Sequence, residues 1–285
     1  MESSLAFVLV LAYVGCSSLF SVFVKLSGNR LVLFGAVNGL TMLMVLPFFL
    51  FLPFPEPQVW PYLLASGAAY NAMLYCAAKA YKYTDLSVVY PVSRAASFLL
   101  IVLAAKVVLG EDGLWYEWLA IGAIFVAILM QMNMRQLDKV KHVESFVWMG
   151  LMGASQGLTW VFDIMGVRVA GNTFSYIAAL MFVGAPVTVW AFVTHRYDLR
   201  RVLNSQKRQI VAAAVVDSFG YACLVYAVYV ARALYAVPLS SLSVVVATLL
   251  GLFYLKESMR LRRLLSAALI AVAITGVHTM DIFYR

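Results

Sequence analysis

The chain has 285 residues, of which 64% are hydrophobic and only 12% charged, with a formal net charge of +8. A globular domain is roughly 25% charged, so this sequence lacks the polar surface to be wetted on all sides and a soluble fold is excluded. Its basic residues sit in short connections with no basic aromatic groove, which excludes a nucleic-acid surface, and Cys16, Cys76 and Cys223 lie inside apolar runs, where they imply neither a disulfide framework nor a metal cluster.

A helix needs about 20 apolar residues to cross about 30 Å of hydrocarbon. Ten such runs follow one another: Leu5–Leu26, Leu31–Leu52, Val59–Tyr81, Leu86–Leu109, Leu114–Met132, Phe146–Val167, Phe174–Val193, Ile210–Ala231, Leu234–Leu255 and Leu264–Met280. Lipid offers no partner to backbone groups, and period-two alternation is absent, so helices rather than a barrel are expected. The first run lacks a basic leader and a small-residue cleavage site, so it reads as a retained span and not as a signal peptide. Met134–Ser145 and His195–Gln209 are the longest polar stretches and read as connections, too short to hold a folded domain.

Met134–Ser145 falls near the middle of the chain, and the sequence repeats itself across it. Lys25-Leu26-Ser27-Gly28-Asn29 closes the first run and Arg168-Val169-Ala170-Gly171-Asn172 closes the sixth, 143 residues later. Pro91-Val92-Ser93 and Pro238-Leu239-Ser240 stand 147 residues apart in runs four and nine, and both runs end at a glutamate, Glu111 and Glu257. Pro47, Pro91, Pro186 and Pro238 occupy runs two, four, seven and nine, which are corresponding members of two sets of five. The expected architecture is an all-α membrane protein of ten transmembrane helices in two inverted five-helix repeats, 1–133 and 146–285, joined by the loop 134–145. Five is odd, so the second repeat enters the membrane from the opposite side, and inverted pairs of this kind can rock to open alternately to either face. Gly35-x-x-x-Gly39 and Gly153-x-x-x-Gly157 read as small-residue packing seams.

Orientation follows from lysine and arginine. Sixteen of the twenty-one lie in the loops and helix ends after runs one, three, five, seven and nine. Only Lys106, Arg168, Arg232 and Arg285 lie on the other side, and Arg94 completes the set. This bias puts both termini outside the cell membrane.

A charge at mid-membrane costs roughly 2.5–3.5 kcal/mol on insertion scales, so each one inside a run requires a reason. Arg94 lies about eight residues into run four and Asp217 about seven into run eight, both roughly 12 Å from the same face. They are expected to line a central aqueous cavity, as a direct pair or at opposite ends of a zwitterion; a fixed ion pair that locks the bundle is the alternative. Asp163 follows Thr159 by four residues and Trp160 by three, which sets all three on one helix face. A carboxylate beside an indole suits a cationic group or a proton, and an interfacial aspartate is the alternative. Proline-interrupted spans at corresponding positions point to the binding region, which brings in Pro91, Ser93 and Ser240. Tyr70, Asn71, Tyr75 and Tyr90 add rings and hydroxyls suited to an amphipathic ligand. Lys25 and Arg168 occupy equivalent repeat positions near span ends, where they snorkel to water or gate the cavity.

Catalytic signatures are missing: the sequence holds no HExxH, GxSxG, Walker glycine-rich loop or carboxylate cluster. His142, His195 and His278 are far apart at loops or span edges. An enzyme, a resident cofactor and a metal site are therefore not expected, ATP-driven transport would require a separate subunit, and no re-entrant filter segment points to a channel.

The stretch Tyr81-Lys82-Tyr83-Thr84-Asp85-Leu86-Ser87-Val88-Val89-Tyr90-Pro91-Val92-Ser93-Arg94, closed by Leu109-Gly110-Glu111, resembles the fourth-span region of EamA-type proteins of the drug/metabolite transporter superfamily. Pro238 through Leu255-Lys256-Glu257 resembles the matching region of the second EamA repeat. Asp163-Ile164-Met165-Gly166-Val167-Arg168, and Lys25 with Ser27-Gly28-Asn29, are similar to that group as well. The resemblance implies a ten-helix secondary transporter whose central cavity is lined by spans one, three, four, six, eight and nine, with Tyr90, Pro91 and Arg94 in it. It also implies cytoplasmic termini, against the charge count. Members of the superfamily carry amino acids, drugs and nucleotide sugars. Residues and resemblance together lead to the expectation of a cell-membrane secondary transporter, monomer or homodimer, that moves an amino acid or similar charged, amphipathic metabolite by alternating access. Protons are the candidate coupling ion. Efflux of cationic drugs or quaternary ammonium compounds is the second expectation, and a non-transporting membrane assembly module is the third.

Overall fold

A computed structural model describes residues 2–26, 30–83, 86–131, 143–253 and 261–284. They form thirteen α-helices and two short 3-10 turns, with no strand among the described residues. In chain order these are α1 (Glu2–Leu26), α2 (Arg30–Val45), α3 (Trp60–Tyr83), α4 (Leu86–Val107), α5 (Trp115–Met130), α6 (Val143–Val169), α7 (Thr173–Leu180), α8 (Ala185–Thr194), α9 (Arg196–Ser205), α10 (Lys207–Val230), α11 (Ala233–Ser240), α12 (Leu242–Phe253) and α13 (Leu261–Tyr284). Ser4–Val24, Val32–Leu50, Thr173–Thr194 and Lys207–Val230 are long and apolar enough to cross a membrane, while Trp115–Met130, Ala233–Val246 and Leu264–Met280 are shorter apolar helices. This makes the chain an all-α, membrane-embedded protein.

The prolines shape the apolar runs differently. Pro47 opens the 3-10 turn Leu46–Leu50 that ends α2, and Pro186 lies in the first turn of α8, where its missing N–H has no helical partner to lose. Run seven is thereby split into α7 and α8 by the turn at 181–184. Pro238 lies two residues before the end of α11 and precedes a second break, at Ser241. α4, by contrast, runs unbroken through Pro91.

One expected connection is a helix. Most of His195–Gln209 folds as α9, because Leu199 and Leu203 supply an apolar edge to an otherwise charged segment, and they pack on α2 and α10. Single apolar residues spaced among arginines are easily read as loop. Their helical spacing is what places them on one face.

The chain divides into two compact units, each assembled from segments on both sides of Met134–Ser145. The first comprises 1–71 and 162–230, the second 72–161 and 231–285. In the first unit, Val32, Leu33, Ala36 and Val37 of α2 pack on Leu199 of α9 and on Ile210, Ala213 and Ala214 of α10, flanked by Phe20, Phe23 and Val24 of α1. α2 meets α8 backbone to backbone: a Cβ on Gly35 would lie 2.5 Å from Ala191 Cβ, and one on Gly39 would lie 3.0 Å from Thr188 Cγ2. Thr188 Oγ1 also donates to Gly35 O at 3.3 Å. α1 and α10 approach as closely, with Gly220 against Cys16. In the second unit Gly153 and Gly157 set α6 against α4; a Cβ on Gly153 would fall 2.4 Å from Ser93 O. Both glycine pairs are thus packing seams, as their spacing suggests. α5 and α13 are tied by Gln131 Nε2 donating to Ser266 Oγ at 3.0 Å and by Ser266 Oγ donating to Ala127 O at 2.8 Å.

The Leu109-Gly110-Glu111 motif has a local reason. Gly110 adopts φ +64°, the left-handed conformation that closes a helix. The chain then turns so that the Glu111 carboxylate accepts from the first two amides of α11, Ala233 N at 2.9 Å and Leu234 N at 2.8 Å. Beside it, Arg232 donates to Asp112 O at 2.7 Å and to Glu117 Oε1 at 2.6 Å, while Glu117 Oε2 accepts from Leu114 N and caps α5. The carboxylates thus satisfy amides that a helix start leaves without a partner.

Candidate functional site

In the first unit a cluster of polar side chains forms where α3, α6, α7 and α10 pack. Asp163 of α6 is 3% exposed. Its Oδ2 accepts from the Tyr221 hydroxyl of α10. Its Oδ1 has no hydrogen-bond partner among the described residues, and neither has the buried Ser66 hydroxyl that stands next to the carboxylate from α3. Tyr176 of α7 lies on the other side, its hydroxyl donating at 3.4 Å to Phe162 O, within reach of the Asp163 charge. Neutral hydroxyl donors are therefore the only groups that contact this carboxylate among the described residues. The open oxygen is one that a proton or a cationic group would satisfy.

Asp217 lies one turn before Tyr221 on the same face of α10. It forms no hydrogen bond or ion pair among the described residues, and Cys16 of α1 and Tyr70 of α3 are near enough to feel its charge. The Tyr70 hydroxyl accepts from Asn38 Nδ2 at 3.3 Å. Asn71, placed in the same group from sequence, is committed elsewhere: its amide donates to Gly67 O at 2.7 Å and to Val183 O at 2.9 Å. Asn71 therefore holds the turn between α7 and α8. Arg168, in the last turn of α6, is exposed.

In the second unit Arg94 is half-buried with its guanidinium 5.9 Å from the centre of the Trp160 ring, a cation–π geometry. Pro91 is buried in the same helix, and Ser93 Oγ donates to Val89 O at 2.9 Å. Ser240 Oγ donates to Val237 O at 2.6 Å beside Pro238, so this hydroxyl stabilises the helix end. Tyr75 is 58% exposed; Trp148 packs edge-on against it at 5.9 Å, and Lys79 Nζ lies 5.4 Å over its ring. That arrangement suits an interfacial aromatic belt better than a cavity wall. The side chains of Lys25 and Tyr90 lie outside the described residues, as does Glu257.

Ser66 and Tyr176 escape a sequence reading because nothing near them in the chain is charged; packing of α3 and α7 on α6 brings them to Asp163. Tyr221 had a signal, its i+4 spacing from Asp217. The second Gly-Asn has a structural meaning: Asn172 Oδ1 accepts from Ser175 N at 3.0 Å and caps α7, while Asn29 lies outside the described residues.

The fold is that of an all-helical membrane protein with acidic and basic side chains set inside its apolar helices. In its second half, residues 145–279 match the EamA-like transporter family. A solved structure described only as "Crystal structure of protein" has the same fold, with a TM-score of 0.72 and 13% identity over 99% of this chain and 99% of that one. No curated protein matches the chain.

Proposed function

We propose that the chain is a secondary active transporter that moves a small charged, amphipathic metabolite, an amino acid or a derivative, across the cell membrane by alternating access of two inverted repeats, 1–133 and 146–285. Asp217 takes the cationic group of the substrate and Arg94, steadied on Trp160, takes its anionic group. Tyr70 and Tyr90 supply aromatic and hydroxyl contacts, and protons are the coupling ion. One observation carries the reading. Asp163 and Asp217 stand within apolar helices with no cationic partner among the described residues, an arrangement that costs several kcal/mol unless a ligand or a proton completes it.

The same carboxylates favour a second reading, efflux of cationic compounds, in which Asp163 and Trp160 dominate and Arg94 is dispensable. Purified protein screened by thermal shift against amino acids and quaternary amines identifies the ligand class, because a compound that binds only the native state raises its stability. Uptake of the hits into proteoliposomes then separates the readings. Loss of flux in both Arg94→Gln and Asp217→Asn supports the zwitterion. Loss in Asp163→Asn with full flux in Arg94→Gln supports the cation, and full flux in both Arg94→Gln and Asp217→Asn removes the zwitterion reading.

A further inference from the structure

A small open pocket of the first unit is formed by residues 53–59 against the α6–α7 turn, and Tyr176 is among its lining residues. Glu56 stands at its rim: its Oε2 accepts from Gln58 Nε2 at 2.6 Å, and its Oε1 reaches the place where a Cβ on Gly171 would be. Ser175, buried and with a hydroxyl lacking a partner among the described residues, lines its wall. Tyr176, 1% exposed, lines its floor. The phenol of that tyrosine lies flat against α6: a Cβ on Gly166 would sit 2.0 Å from its hydroxyl and 2.4 Å from Cζ. Glycine is therefore what lets the ring seat there. Its far end reaches Phe162 O and the neighbourhood of the Asp163 carboxylate. Tyr176 thus lines the pocket while its hydroxyl bonds the backbone carbonyl next to the buried acid.

We propose that Asp163 is the proton-binding residue of this protein and that its proton arrives from the 53–59/170–176 pocket past Tyr176, whose ring is the gate between the two. The proposal rests on the proton-coupled reading above. A proton suits the site better than a metal ion, because it requires only one donor and one acceptor, and Asp163 Oδ1 and Ser66 Oγ are two adjacent oxygens with no other partner among the described residues. A hard cation takes about six oxygens or more. The ionisable side chains that act on or feel Asp163 are Tyr221 from α10 and Tyr176 from α7; beyond them, Tyr13 of α1 acts on Tyr221, Tyr62 of α3 acts on Tyr176, and Asp217 lies one turn from Tyr221 on α10. None of them is basic, and α6 itself adds Glu144 in its first turn and Arg168 in its last. A negatively charged rim at Glu56 favours a cation's approach, and the neutral phenol keeps bulk water from the acid.

Carbodiimides label a carboxyl group only when it carries its proton, so they read the site without requiring transport. A protein that carries nothing across a vesicle but labels as described would sink the transport reading and leave this one standing. Full-length protein in detergent is treated with dicyclohexylcarbodiimide, which partitions into apolar sites, and separately with a water-soluble carbodiimide, and the adduct is located by peptide mass. The apolar reagent is expected to label Asp163 more at low pH than at high pH, with no effect of sodium, and not to label Asp163→Asn at that peptide. The water-soluble reagent is expected to label Asp163 slowly in wild type and in Tyr176→Phe, which keeps the ring, and at least about tenfold faster in Tyr176→Ala or Tyr176→Leu. Labelling that ignores pH, or that sodium rather than acid controls, overturns the proton assignment. Equal rates in wild type and the folded ring-deletion variants overturn the gate.

Discussion

Replacing Glu111 by alanine removes both acceptors from the first amides of α11 at once. The carboxylate is 7% exposed and accepts at 2.9 and 2.8 Å, so water does not readily substitute for it. A hydrogen bond to a charged group contributes about 1.5–3 kcal/mol, and an N-cap about 1–2 kcal/mol. The two bonds share one carboxylate and are not additive, which gives an expected loss of about 3 kcal/mol, or roughly 150-fold in the folded-to-unfolded ratio. Glu111→Gln keeps one acceptor and is expected to lose about half as much. Equilibrium unfolding in mixed micelles, followed by tryptophan fluorescence, measures both. Variants within about 0.5 kcal/mol of wild type, the scatter of neutral surface changes, would refute the capping argument.

The remaining predictions use the same unfolding assay. Gly153→Ala, which drives a Cβ to 2.4 Å from Ser93 O, is expected to cost about 1–3 kcal/mol, whereas Gly150→Ala, with nothing within 4 Å, should be neutral or stabilising. Arg232→Met leaves the Glu117 carboxylate, whose side chain is 1% exposed, without its cation, for a loss of about 3–5 kcal/mol; adding Glu117→Met should restore only part of it, because it also removes the α5 cap on Leu114 N. Lys106 hydrogen-bonds Asp112 and, by that bond and its charge, holds the carboxyl below its usual range. The pair's contribution is thus present at neutral pH and lost as pH falls through that lowered value. Both side chains are exposed, so that contribution is small and Lys106→Ala should lower stability at pH 7 only slightly.

What the sequence makes legible is what lipid enforces. Apolar run length locates the helices because a backbone in hydrocarbon must satisfy itself, and the glycine spacing locates two helix seams because only a missing side chain admits such close approach. Charges inside the runs are legible too: Asp163 and Asp217 stand in apolar helices with no cationic partner among the described residues, and Arg94 lies against the Trp160 ring. The partners themselves are hidden. Ser66 and Tyr176 are ordinary residues whose importance arises only when α3 and α7 meet α6. Asn71 looked like a ligand because it is polar in a span, yet a broken helix elsewhere in the chain consumes its amide. The division into two units, each drawing on both ends of the chain, is a consequence of long-range packing that no local pattern announces.

The most direct measurement of the central claim is substrate-driven charge movement on a solid-supported membrane, with proteoliposomes of wild type, Arg94→Gln and Asp217→Asn challenged with the compounds that stabilise the protein. Wild type is expected to give transient currents whose size follows the imposed pH gradient, and both variants are expected to give none. Currents of wild-type size in both variants would contradict the assignment of those two side chains to the substrate.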